Sequence, residues 1–173
     1  MDIFVEQLVK KKKTAKDYLK VVLCILTIIG MLGVMLCVIP LPFVGIILAT
    51  VCGIIIYIIS RVASTINMEY EYAFTNGALD VDMIIAAKRR KRMTSLNARS
   101  IEILAKADSD RIDEYLNDRG IKRKYACTDV CDEGVYFAIY SNEKGKFMLL
   151  FNPNNEILDG FKRLNPQKVF LND

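Results

Sequence analysis

The chain has 173 residues with no histidine and no tryptophan, and 24 Lys and Arg against 20 Asp and Glu leave it a formal charge of +4. Without histidine, Ser/His and Cys/His nucleophilic pairs and histidine metal sites are excluded within this chain. The whole net charge lies in residues 1–61, while the rest holds 17 cations and 17 anions, a balance that disfavours nucleic-acid binding, which asks for a basic domain.

Residues 1–20 form a basic juxtamembrane segment. Phe4 with Leu8 and Val5 with Val9 stand at i, i+4 spacing ahead of Lys10 to Lys13, Lys16 and Lys20. This spacing predicts a short helix lying on the membrane interface, with a flexible basic tail as the alternative.

From Val21 through Ser60 there are 40 residues without a charge, punctuated only by Pro40-Leu41-Pro42. Val21 to Ile39 and Phe43 to Ile59 are 19 and 17 residues long, lengths that suit a hydrocarbon core about 30 Å thick. Residues 21–60 therefore read as a two-helix transmembrane hairpin in the cell membrane. A secretory signal peptide fits poorly, because its apolar region is shorter and a small-residue cleavage site should follow it. Lysines precede the first span, Arg61 closes the second and the connection is uncharged, which predicts that both termini are cytoplasmic. Gly45, Ala49 and Gly53 on the second span, with Gly33 and Cys37 on the first, are the candidates for close helix packing.

A tether over 61–68 leads into a domain over 69–173 with mainly β patterning. Tyr70, Tyr72 and Phe74 alternate with polar or small residues, and Asn76-Gly77 supplies two-residue hairpin chemistry. Leu79, Val81, Met83 and Ile85 then alternate with Asp80 and Asp82, placing both carboxylates outward. The run Lys88-Arg89-Arg90-Lys91-Arg92 reads as a hairpin tip, and Ser100 to Leu104 as the third strand of a meander. Asp108 to Gly120 reads as a short helix with acidic capping; calcium binding is disfavoured, since the loop glycine and distal glutamate are missing. Strands follow near Tyr125–Val130, Val135–Ser141 and Phe147–Phe151, and Asn154 caps a closing helix with the apolar stripe Ile157, Leu158, Phe161 and Leu164. Gly160 weakens that helix, and Val169 to Leu171 could add an edge strand.

Residues 69–104, EYEYAFTNGALDVDMIIAAKRRKRMTSLNARSIEIL, follow two membrane spans and precede an amphipathic helix. In this order they resemble the bacterial membrane-anchored pleckstrin-homology-like (PH-like) domains. FNPNNEILDGFKRLNPQKVF and the first 20 residues are also similar to a family of small uncharacterised two-span proteins from Gram-positive bacteria. The resemblance implies an α+β membrane protein: a transmembrane helical hairpin followed by a small antiparallel-β, PH-like domain with a closing C-terminal helix. The helix between its third and fourth strands is an insertion relative to the plain pattern. No functional residue carries over from either family.

Cys24, Cys37 and Cys52 read as apolar packers in the spans, and Cys127 and Cys131 as structural or incidental thiols. No catalytic residue, cofactor or metal is expected. The sharp candidate is Lys88, Arg89, Arg90, Lys91 and Arg92, contacts for an anionic lipid or a membrane or cytoplasmic protein partner; the bland reading is a solvated turn. The function expected is a non-enzymatic, membrane-tethered interaction module, the alternative being an accessory subunit of a membrane enzyme or transporter complex.

Overall fold

The computed structural model describes residues 3–38, 43–64 and 66–171. The chain separates into two compact units, one taking the residues up to Lys12 together with those from Met68 onward, the other Lys13–Asn67.

The Lys13–Asn67 unit is a pair of packed helices, α1 (Ala15–Val38) and α2 (Val44–Ser64), each long and apolar enough to cross a membrane. The Pro40-Leu41-Pro42 turn lies outside the described residues. On α2, Gly45 and Cys52 are buried and Ala49, Ile56 and Ile59 half-buried; on α1, Val21, Cys24, Ile28, Met31 and Met35 are half-buried. This alternating three- and four-residue spacing keeps one face of each helix against its partner. Gly45 and Ala49 thus lie on the packed face. Gly33 and Gly53 do not, since a Cβ on either would meet nothing within 4 Å; the packing face of α2 passes through Cys52 rather than Gly53.

The first sheet of the other unit has the order β1-β2-β3-β4, from β1 (Phe4–Lys10), β2 (Met68–Thr75), β3 (Ala78–Ile85) and β4 (Arg89–Asn97). Residues 4–10 are a strand, not an interfacial helix or a tail. Val5, Gln7 and Val9 turn inward, Val9 being 7% exposed, and the partner is β2, which the chain reaches only after both apolar helices. The domain accordingly begins before the hairpin, and of the expected tether over 61–68, residues 61–64 belong to α2 and Met68 to β2. The third strand of the meander is the basic run itself continuing to Asn97, paired with β3 through a bulge at Val81/Asp82, whereas Ile101–Lys106 (β5) belongs to the second sheet.

That second sheet has the order β5-β7-β8-β6, adding β6 (Lys122–Ala126), β7 (Tyr136–Asn142) and β8 (Gly145–Phe151), with β6 parallel to β8. Tyr136 to Tyr140 are all buried, because both faces of β7 are covered. One face meets the first sheet and α4 (Asn155–Leu164) around Tyr72, Phe74, Phe151 and Phe161. The other packs on Ile112, the last residue of a 3₁₀ turn (Asp110–Ile112) that runs into the four-residue α3 (Asp113–Leu116), and on Ile121 beyond it. The inserted segment is thus the lid of a second core layer. Asn154 caps α4 by accepting from the amide of Ile157 at 2.9 Å, and Val169 bridges Leu104 of β5.

Candidate functional site

Strand register decides where the basic run lies. Lys10 stands opposite Glu69, Glu69 opposite Ile84, and Ile84 opposite Arg90. One step outward, Met68, Ile85 and Arg89 align. This is the end of the first sheet from which the chain leaves toward α1 and to which it returns from α2. The turn from Ile85 to Lys88, closed by the Lys88 amide donating to the Ile85 carbonyl at 3.1 Å, therefore shares a sheet end with both hairpin connections. The Asn76-Gly77 turn is at the far end.

The five cations divide into two groups. Arg90 donates to Asp82 Oδ2 and to Glu71 Oε1, each at 2.7 Å, and Arg92 Nη1 lies 2.9 Å from Asp80 Oδ2 while its Nε donates to Asp82. Asp82 is not solvent-facing as its alternation predicts: it is 5% exposed, because the two guanidinium groups cover it on the outer face. Burial pushes its carboxyl up, but the hydrogen bonds from Arg90 and Arg92 outweigh this and hold it below its ordinary range. Lys88, Arg89 and Lys91 are exposed and, among the described residues, have no ion pair. On the neighbouring connection Lys11 is exposed, while Lys12 pairs with Asp132. The rim thus offers Lys88, Arg89, Lys91 and Lys11 to an anion. The acidic row was findable from charge matching between adjacent strands, since Glu71, Asp80 and Asp82 all precede the run on alternating positions.

Two polar groups, half-buried Gln7 and buried Tyr72, join distant segments and so leave no local signal in the sequence. Gln7 donates to the Asn152 carbonyl at 2.8 Å and accepts from the Asn154 amide at 2.7 Å. The Tyr72 hydroxyl donates to the Ala126 carbonyl and accepts from the Asn152 amide at 3.2 Å, and burial pushes its pKa up. Cys127 is buried and its thiol is raised by that burial, whereas Cys131 is exposed; both are free thiols. Among the described residues no group of three His, Cys, Asp or Glu side chains converges to hold a metal.

Neither the curated proteins nor the solved structures contain a match to the chain. A family model does match, over residues 1–171, a span that includes β1, both apolar helices and the two sheets. The chain therefore belongs to the bacterial PH-like domain family DUF6106.

Proposed function

We propose that this protein is a non-enzymatic, membrane-tethered module whose PH-like domain lies on the cytoplasmic side and uses Lys88, Arg89, Lys91 and Lys11 to engage the headgroups of anionic lipid. The observation that carries the reading is the register: Lys88 on the turn and Arg89 and Lys91 at the start of β4 share a sheet end with the two connections to the apolar hairpin. The spans already anchor the chain, so the cations are not needed for attachment. Their role is to orient the domain on the leaflet, each contributing up to about 1 kcal/mol near an anionic surface. Lipid is favoured over a protein partner because the same sheet end carries the residues that lead to and from the two apolar helices.

The test uses the full chain in nanodiscs of phosphatidylcholine with or without phosphatidylglycerol. Hydrogen exchange over residues 84–92 should slow with phosphatidylglycerol and recover in high salt, since the Debye length falls from about 10 Å at 0.1 M to about 3 Å at 1 M. Replacing Lys88, Arg89 and Lys91 with Gln should remove the lipid dependence, and replacing Arg90 and Arg92 should not. Exchange that ignores lipid charge would overturn the reading in favour of a protein partner.

A further inference from the structure

We infer that the Ile85–Lys88 turn is an interfacial anchor, its two alanines seated at the headgroup–acyl boundary while the flanking cations hold phosphates. The inference rests on the anionic-lipid reading of the same rim and adds an apolar contact to it. Two hairpin turns at opposite ends of one sheet provide the comparison. The far turn places Asn76 and Gly77 at φ 50° and 97°, residues suited to the left-handed region. The near turn places Ala86 and Ala87 there, at φ 54° and 52°. Consecutive left-handed alanines are strained, because each Cβ crowds the following carbonyl. Asn-Gly would relieve that strain and suit a turn in water, so folding alone does not account for a methyl-bearing tip.

Position and flanking chemistry supply the account. Ala87 is exposed, Ile84, Ile85 and Ala86 are half-buried, and the exposed cations Lys88 and Arg89 follow directly. An apolar tip beside cations has the composition of a segment that sits a few ångströms into the interface, with methyl groups below the phosphates and ammonium or guanidinium groups among them. The neighbouring connections are short: β1 ends at Lys10 and α1 begins at Ala15, while α2 ends at Ser64 and β2 begins at Met68. The occupant is thus the bilayer that the hairpin itself enters.

The absence of tryptophan makes an introduced one a unique reporter. Ile85→Trp in the full chain, reconstituted with phosphatidylglycerol and phosphatidylcholine brominated on their acyl chains, should show quenched, blue-shifted emission, and Ile84→Trp provides a second reporter should the first fail to fold. Adding Ala86→Asn and Ala87→Gly should raise the apparent melting temperature in detergent and yet lower the quenching severalfold, a combination that a loss of folding would not produce. Unquenched emission while phosphatidylglycerol still slows exchange over residues 84–92 would overturn the anchor and leave the headgroup reading standing. Absence of both effects would overturn both, and quenching that survives the Asn-Gly replacement would overturn the assignment to the alanines.

Discussion

Gly160 of α4 lies so close to Phe74 of β2 that a Cβ on it would stand 2.5 Å from Phe74 Cε1 and 2.9 Å from Cζ. The helix approaches the sheet at this point because nothing separates its backbone from the ring. Phe74 is fully buried and its ring centroid is 5.1 Å from that of Phe161, so it has little room to yield. Glycine in a helix interior costs roughly 0.5–1 kcal/mol against alanine, and here the close approach outweighs that. Gly160→Ala should destabilise the domain by about 1–3 kcal/mol through overpacking, read as a lower melting temperature of the full chain in detergent. A higher melting temperature would mean that helix propensity dominates.

Gln7 ties the segment before the two apolar helices to the loop before α4. Gln7→Ala leaves the Asn152 carbonyl and the Asn154 amide without this partner, and an orphaned partly buried polar group costs about 1–3 kcal/mol. Limited proteolysis should then cut near Asn152, far away in sequence, at a lower protease dose than in the wild type. Unchanged proteolysis would show that water replaces the side chain.

The arginine-covered carboxylate predicts the acid limb of stability. Asp82 has its native pKa below its ordinary range. Such a group contributes stability that is complete above the unfolded value of about 3.9 and is lost as pH falls through the native value. Denaturant unfolding of Asp82→Asn should therefore depend less steeply on pH below about 4 than the wild type does. Superimposable acid limbs would remove Asp82 from the account of acid stability.

The proposed cytoplasmic location of the domain predicts that its thiols are shielded in intact cells. Cys131 is exposed and Cys127 is 5% exposed. An impermeant maleimide, with labelled sites assigned by mass spectrometry, should modify Cys131 only after permeabilisation and Cys127 only after unfolding. Labelling of Cys131 before permeabilisation would place the domain outside.

What the sequence discloses depends on whether the deciding contact is local. The Asn76-Gly77 hairpin, the strands it joins and the Asn154-capped helix are written in neighbouring residues, and the structure has all of them. The strand Phe4–Lys10 carries apolar residues on both alternating sets, so its spacing suits a helix as well as a strand, and only the distant edge of β2 selects the strand. The Lys88–Arg92 run reads as a tip because charge density mimics a solvated turn, yet Arg90 and Arg92 face Glu71, Asp80 and Asp82 across the strands. The turn itself carried no signal, since Ala86-Ala87 is not turn chemistry. Gly33 and Gly53 looked like packing positions by type, but the phase of each helix turns them away from its partner.

Both apolar helices lie between β1 and β2 in the chain. The first strand is translated before either helix and its partner only after both, so the sheet cannot close until the second helix is complete. Pairing of α1 with α2 shortens the effective loop between the two strands, offsetting the loop-closure entropy that separation along the chain would otherwise impose. Cutting the chain after α2 would strip β1 from the sheet. Splicing Lys12 to Met68 through a short turn would keep it, since the Lys11 amide already donates to the Met68 carbonyl at 3.1 Å.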